Sequence, residues 1–327
     1  MLKNTILFGK ICTTIIVIAF VVIPVLYAAQ GQVNIISLFH RDIATVATPE
    51  TQQYIPVQNG PPKPNMIWFE ANAVRTIFEE TLNNYQIDSL FGPAATTTNI
   101  LKELNKGPKF VHFATHGKVE KDGSPALKAY NGYVHPIDIY FNVGQYRMSD
   151  SVVIILSACY SLYNYHIEDY DMNFGYVLVK WAEVPFVIGS RGVIDSGVLY
   201  WFTLDFYDFL FSSPNEGVAD AYSKAYSKVK SDMENCIEWG IASFVFLLSV
   251  LTAGLPDVLL PATYKMLALI LYTLFGWIIT QYGEGALVDY LTEALTHLSN
   301  LAIYDTSCIR NSGGSGGGGG PYPPLIM

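Results

Sequence analysis

The sequence predicts an α/β fold in which helices cover both faces of a largely parallel β-sheet. Apolar runs typical of strands alternate with helical stretches between about residues 65 and 230, the order expected for such a sheet. One run, VVIILSA at 152–158, is almost continuously apolar, which suits a strand buried on both faces. With 327 residues, the chain has room for one sizeable domain and additional segments.

The elements follow from the pattern of apolar residues and from helix start and stop signals. The predicted strands are 66–69, 87–92, 109–115, 151–158 and 184–190. The predicted helices are 70–85, 95–107, 174–183 and 200–230. A threonine cap and Gly107 delimit the second helix, and Pro214 interrupts the last one. Together these elements predict a main domain over residues 65–235.

The N-terminus predicts a membrane segment. Lys3 and Lys10 precede an uncharged apolar run at 11–29, which is long enough for a membrane anchor, while a cleaved signal peptide is the alternative for residues 1–31. In both cases the lysines stay in the cytoplasm and the domain that follows is extracytoplasmic. Residues 32–64, which are rich in Pro, Gln and Thr towards their end, are expected to form a linker.

A second apolar zone, within residues 236–305, predicts a hydrophobic helical hairpin. The uncharged residues 239–255 and the apolar stretch 258–279 are separated by a Pro-Asp pair. The hairpin could insert into a membrane; the alternative is two buried helices that pack on the main domain or on a partner subunit in a homo-oligomer. An amphipathic helix follows, and the Gly- and Pro-rich residues 306–327 are expected to be disordered.

Charge and cysteine spacing argue against two classes of function. The net charge is -9 and the basic residues form no cluster, which argues against nucleic acid as a partner. The four cysteines lie at positions 12, 159, 236 and 308. They show neither CxxC spacing nor the pairing with histidine that suits zinc, so we expect no metal site.

Two apolar strands end abruptly in residues that can carry chemistry. His116 follows the strand at 109–115, and Cys159 follows the strand at 151–158. Sites in parallel sheets form beyond the carboxyl ends of the strands, so neighbouring strands would place both side chains at one edge. That arrangement suits a thiol nucleophile assisted by an imidazole. Gly117, which lacks a Cβ atom, and Cys159 could then present their backbone N–H groups to a developing oxyanion.

Each residue also has a purely structural explanation. A cysteine at the end of an apolar strand is often a small core residue. A histidine after a strand is often a turn residue with satisfied hydrogen bonds. It is the joint placement of His116 and Cys159 at two strand ends that favours a catalytic pair.

The sequences VHFATHG at 111–117 and LSAC at 156–159 occur in this order at the ends of two predicted strands. In this context they resemble the catalytic motifs of the CHAT family of caspase-like cysteine peptidases, and the similarity extends over about 65–230, roughly half the chain. The resemblance implies the fold of caspases, separase and gingipains, with a mostly parallel sheet flanked by helices. It also implies a peptidase that needs no cofactor and acts on a protein or peptide.

The resemblance implies roles for individual residues. His116 matches the catalytic histidine, Cys159 matches the nucleophile, and Gly117 matches the glycine of the oxyanion hole. His112 matches a position that is often histidine but not the catalytic one, and we interpret it as a packed, hydrogen-bonded strand residue.

Substrate-binding residues are expected near the same edge. Asp195 falls where the family often has an acidic residue close to the cleft. Arg191 could favour an acidic group of the substrate. Asp169 lies in an acidic loop with Glu168 and Asp171, which we interpret first as a solvated loop; the alternative is that it favours a basic residue of the substrate. The chain departs from the family at residues 190–192, where a Trp is usual, and at Glu183, where Gly is common. Both departures fall where the resemblance places the substrate pocket.

The leading hypothesis is a membrane-anchored cysteine endopeptidase in which Cys159 and His116 cleave a peptide bond through a thioester. Two alternatives remain open. One is a catalytically silent, caspase-like interaction module that works through the hydrophobic hairpin, and the departures at 183 and 190–192 motivate it. The other is a zymogen-like effector whose own cleavage releases or activates that hairpin.

Overall fold

The computed structural model describes residues 42–58, 62–167, 170–212, 217–239 and 262–305. The predicted N-terminal membrane segment, nearly all of the first arm of the hydrophobic hairpin and the Gly- and Pro-rich tail lie outside these ranges. The described strands are β1 (Ile43–Thr48), β2 (Tyr54–Ile55), β3 (Lys63–Pro64), β4 (Gln86–Phe91), β5 (Phe110–Ala114), β6 (Gly117–Val119), β7 (Pro125–Ala129), β8 (Gly132–Val134), β9 (Val153–Ser157), β10 (His166–Ile167), β11 (Tyr170–Asp171), β12 (Phe186–Ser190) and β13 (Leu301–Asp305). The described helices are α1 (Met66–Thr81), α2 (Thr97–Leu104), α3 (Pro136–Asn142), α4 (Phe174–Tyr176, continued by a π-helical turn at Val177–Trp181), α5 (Ser196–Ser212), α6 (Val218–Trp239), α7 (Ala262–Tyr282) and α8 (Glu284–Leu298).

A six-stranded sheet with the order β13-β12-β9-β5-β1-β4 forms the centre of the fold. The pairs β4–β1, β1–β5, β5–β9 and β9–β12 are parallel, and β13 runs antiparallel to β12 at one edge. β5 and β9 are buried along their whole length because helices cover both faces of the sheet. The predicted α/β architecture, with a mostly parallel sheet flanked by helices, is confirmed.

Successive residues of each central strand point to opposite faces, so the strands contribute to two hydrophobic cores. In β1, Val46 belongs to the core beneath α1, α5, α6, α7 and α8, whereas Ala47 belongs to the core beneath α2, α3 and α4. Ile155 and Ile154 of β9 divide in the same way. Burying a side chain of this size stabilises by about 1.5–3 kcal/mol, so the alternation holds the register of the sheet firmly.

The strand β1 corrects the expected linker at 32–64. It pairs with β4 on one side and β5 on the other inside the six-stranded sheet, so the expectation is wrong for residues 43–48. Thr45 and Thr48 in the run IATVAT are buried. These threonines reduce the apolar signal of the strand, which therefore resembles the polar segment that follows it.

The expected strand at 66–69 is also wrong, because these residues begin α1. The Asn65 side-chain oxygen accepts a hydrogen bond from the Trp68 N–H at 3.4 Å and so caps the helix. Met66 and Ile67 are buried in the core. Periodicity alone cannot distinguish a short apolar strand from the first turn of a buried helix.

The second arm of the predicted hydrophobic hairpin corresponds largely to α7, whose described side chains pack on the main domain. Leu271, Leu274, Phe275 and Ile278 are buried in the core shared with α1 and α5. Within the described ranges, no helix is both long and apolar enough to cross a bilayer. The expected amphipathic helix is α8, but residues 301–305 form β13 and do not continue a helix.

Candidate active site

His116 and Cys159 lie at the same edge of the sheet because β5 and β9 are direct neighbours. The two strands pair in parallel, with Ala114 opposite Ser157. His116 lies two residues after Ala114, and Cys159 lies two residues after Ser157. The carboxyl ends of parallel strands are where sites form in α/β folds. Both residues therefore lie just beyond the carboxyl ends of neighbouring strands, at the same position along the strand direction.

Gly117 packs directly against the backbone of Cys159. A Cβ atom on Gly117 would overlap the Cys159 carbonyl oxygen and would lie 3.3 Å from the Cβ of Ala158. A glycine is therefore required by the close approach of two chain segments, and no side chain fits between them. This contact holds the residue after His116 against the candidate nucleophile.

Two backbone N–H groups next to the candidate residues have no acceptor within the described part of the chain. The Lys128 N–H donates to the His116 carbonyl at 2.8 Å, which makes these two residues a hydrogen-bonded pair between β6 and β7. Since such pairs alternate with non-hydrogen-bonded ones, the N–H of the next residue, Gly117, points away from β7. The Cys159 N–H donates to no group within the described ranges. Both groups are thus available to a ligand.

The Cys159 thiol is half-buried and contacts the backbone of Ile194. Its S–H donates to the Ile194 carbonyl at 3.4 Å, and the Ile194 N–H donates to Sγ at 3.5 Å. Tyr160, the next residue, has a φ of 56°, a left-handed conformation that non-glycine residues seldom adopt. This sharp turn leads the chain to the end of β12, where the Leu162 N–H donates to the Ser190 carbonyl at 2.7 Å. Both His116 and Cys159 are described, and no hydrogen bond joins them.

The His116 imidazole faces a carboxylate. Its Nε2 lies 3.7 Å from Oε1 of Glu50, which is largely buried. Glu50 also accepts hydrogen bonds from Lys128 Nζ at 3.2 Å and from Asn65 Nδ2 at 3.1 Å. Glu50 is not among the predicted site residues because it lies in the expected linker. An acidic residue just beyond a strand of the sheet is the signal that would have indicated it, once β1 is recognised.

The surroundings of His116 favour the neutral form of its imidazole. Although 59% of the side chain is exposed, burial of the ring lowers the pKa of His116. The Glu50 carboxylate opposes this shift, and the positive charge of Lys128 adds to it. A neutral imidazole can accept a proton, as a general base must.

The residues expected to bind substrate lie in different environments. Asp195 is the N-cap of α5: its Oδ1 accepts hydrogen bonds from Gly197 N–H at 2.7 Å and Val198 N–H at 3.2 Å. Arg191 is exposed, and its backbone N–H donates to the Asn300 carbonyl at 2.9 Å. Asp169 lies outside the described residues.

The two departures from the family pattern occupy structural positions. Glu183 has a φ of 62°, the left-handed region that favours glycine, in the turn before β12. Ser190 is buried, and its hydroxyl donates to the Gly192 carbonyl at 2.9 Å. At these two positions the departures affect turn conformation and loop packing.

A cleft of about 340 Å³ lies beside Asp195, between the start of α5 and the helices α7 and α8. Its lining combines carboxylates with aromatic side chains and includes Asp195, Trp277, Asp289, Tyr290 and Glu293. No group of three His, Cys, Asp or Glu residues in the described part of the chain is arranged to hold a metal ion.

A family model described as CHAT domain matches residues 65–249. The chain belongs to the CHAT family. The match includes His116, Gly117 and Cys159, whereas β1 and the elements from α7 to β13 lie outside it.

Among solved structures, the chain is similar to the Arg specific cysteine proteinase gingipain R, with 14% sequence identity and a TM-score of 0.40. The similarity covers 58% of this chain and 41% of that chain, so this chain spans less than half of the gingipain structure. No curated protein matches the sequence.

We expect Gly117→Ala to reduce alkylation of Cys159 by a peptide acyloxymethyl ketone at least about tenfold, because the added methyl group displaces β6 from the Cys159 turn. Overpacking of this kind also costs about 1–3 kcal/mol of stability. Mass spectrometry measures the labelling and thermal unfolding measures the stability. Gly285→Ala is the matched control, because a Cβ there meets no atom within 4 Å. Unchanged labelling of Gly117→Ala would contradict the packing argument.

We expect opposite shifts of the His116 pKa when its two charged neighbours are replaced. Glu50→Gln removes the negative charge that raises this pKa, so the pKa falls and the acidic limb of any His116-dependent activity moves to lower pH. Lys128→Met removes the positive charge that lowers it, so the pKa rises and the limb moves to higher pH. NMR titration of the imidazole Cε1–H measures both shifts, with His135 as the internal reference. Shifts of equal sign in the two variants would contradict the assignment.

Proposed function

We propose that the protein is a membrane-anchored cysteine endopeptidase with a His116–Cys159 dyad. The observation that carries this proposal is the parallel register of β5 and β9, which brings both residues to one edge two positions beyond the Ala114–Ser157 pair. The glycine contact with Cys159 and the carboxylate beside His116 support it. Membership of the CHAT family is consistent with this chemistry.

In the proposed reaction, Cys159 Sγ attacks the carbonyl carbon of a peptide bond while His116 takes the thiol proton. The N–H groups of Gly117 and Cys159 donate to the oxyanion that forms. Collapse of this intermediate breaks the C–N bond, and His116 delivers its proton to the leaving amine. Water then attacks the thioester with His116 as base, which releases the acid and restores the thiol.

Glu50 assists by stabilising the protonated imidazole. During each half of the reaction His116 carries a positive charge, and the Glu50 carboxylate lies 3.7 Å from its Nε2. The hydrogen bonds from Lys128 and Asn65 hold this carboxylate in place. Because Nε2 faces Glu50 and the thiol faces Ile194, a side-chain rotation must bring the dyad together when substrate binds. Catalytic hydrogen bonds are commonly loose before substrate is present.

Selective labelling tests the dyad in the full chain in detergent. We expect peptide acyloxymethyl ketones to modify Cys159, His116→Ala to slow this modification at least about 100-fold, and Cys159→Ala to abolish both labelling and peptide cleavage. Cys236→Ala, a half-buried cysteine on α6, is the matched control and should leave cleavage unchanged. Proteolysis by the pure protein that survives Cys159→Ala would falsify the proposal. A thiol inert to every probe, with partner binding intact, would favour the interaction module.

The membrane part of the proposal is supported by the uncharged run at 11–29 and by the two lysines that precede it. The described part of the second hydrophobic zone packs on the domain, so it adds no support. We expect the full chain to remain with membranes during carbonate extraction, and a chain lacking residues 1–31 to be released. Protease added outside the cell should digest the domain. A full chain that carbonate extracts would contradict the anchor.

A further inference from the structure

The loop between β12 and α5, residues 191–195, forms the immediate surroundings of the Cys159 thiol. We refer to it as the nucleophile loop. Both hydrogen bonds of Sγ are made with the backbone of Ile194 in this loop. A third hydrogen bond, from the Tyr160 N–H to the Gly192 carbonyl at 2.9 Å, joins the loop to the turn after Cys159. The position of the loop therefore determines how the thiol is oriented.

The nucleophile loop is held from outside by two residues near the end of the described chain. The Tyr290 hydroxyl of α8 donates to Asp195 Oδ1 at 2.5 Å. The backbone carbonyl of Asn300 accepts a hydrogen bond from the Arg191 N–H at 2.9 Å. The side-chain Nδ2 of Asn300 donates to the Val193 carbonyl at 2.6 Å. These bonds reach the first, middle and last residues of the loop.

The elements that carry these two residues are firmly anchored. Leu287 and Leu291 of α8, on either side of Tyr290 in the sequence, are buried in the core. Asn300 lies between α8 and β13, and β13 pairs with β12 along its length. The packing at Asn300 is tight, because a Cβ atom on Gly192 would lie 3.0 Å from its Cγ. Tyr290 and Asn300 are thus fixed points against which the loop is set.

We propose that Tyr290 and Asn300 are positioning residues for the nucleophile. They act through the loop: Tyr290 holds Asp195, Asn300 holds Arg191 and Val193, and Ile194 between them orients Sγ. Both residues lie beyond the family match at 65–249. The proposal rests on the proposed function, since it concerns the reactivity of the same thiol, but its first readout requires no peptide cleavage.

The test compares three single variants of the full chain. Tyr290→Phe removes only the hydroxyl group, and Asn300→Asp keeps the shape but replaces the donor to Val193 with an acceptor. Tyr282→Phe is the matched control: this tyrosine also lines the cleft beside Asp195, and it is 67% exposed. Site-resolved mass spectrometry follows alkylation of Cys159 by iodoacetamide, with Cys236 as the internal reference. Thermal unfolding and peptide cleavage are measured in parallel.

We expect alkylation of Cys159 to be at least about threefold faster in Tyr290→Phe and Asn300→Asp, because a loosened loop exposes Sγ. Alkylation of Cys236 and the control variant should match the unmodified protein. Where peptide cleavage is detectable, kcat should fall about tenfold with KM within about twofold, since alignment is lost while binding is kept. This combination distinguishes positioning from general loosening.

Three results would overturn the proposal. One is unchanged alkylation of Cys159 in both variants. Another is a parallel increase at Cys236, which would mean that the residues support the fold as a whole. The third is faster peptide cleavage. That result would mean that the bonds from Tyr290 and Asn300 hinder the Cys159 thiol and do not align it for attack. If the unmodified protein cleaves no peptide, the alkylation rates still decide, so failure of the proposed function and failure of this inference are separate outcomes.

Discussion

The site depends on the parallel pairing of β5 with β9. This pairing sets His116 and Cys159 at equal height, and a shift of one residue would turn every side chain of one strand to the other face. A buried polar cluster fixes β5 from within the core. His112 Nε2 lies 3.2 Å from Glu70 Oε1, and the same oxygen accepts a hydrogen bond from the Thr203 hydroxyl at 2.8 Å. The other ring nitrogen, Nδ1, lies 3.4 Å from the Tyr207 hydroxyl. A shift in register would move this buried ring away from Glu70 and Tyr207, which is costly for a polar group in the core.

The strongest features of the sequence correctly predict the sheet and the position of His116 and Cys159 at one of its edges, whereas the weaker features give wrong predictions for physical reasons. Continuous apolar runs indicate β5 and β9, and the residues that end them are correctly placed at one edge. β1 is not predicted because its buried threonines make the segment resemble a polar linker. Glu50, which follows β1, is therefore not predicted as a site residue either. Asp195 has the expected acidic character, but hydrogen bonds within the chain commit it to capping α5. Such contacts join residues far apart in sequence, so no local pattern reveals them.

The helix α7 shows a second limit of sequence patterns. A helix that is apolar on all sides is equally typical of a bilayer and of a protein core. The described side chains of α7 pack in the protein core, where Phe275 and Leu274 are almost fully buried beneath α1 and α5. A core helix differs from a membrane helix only in the surfaces it packs on, and here distant parts of the chain, α1 and α5, supply those surfaces. The structure assigns to the main domain a segment that its composition alone leaves open.

The place of β1 in the sheet has a consequence for what counts as the domain. β4 pairs with β1 and with no other strand of the described sheet, and β1 lies ahead of the family match, which begins at residue 65. At the opposite edge, β13 covers β12 from beyond residue 249. A fragment cut at these boundaries would lack β1, which joins β4 to the rest of the sheet, and would leave β4 without a partner. It would also expose the backbone of β12 to pairing between molecules. The unit of sequence similarity is therefore smaller than the unit that can fold.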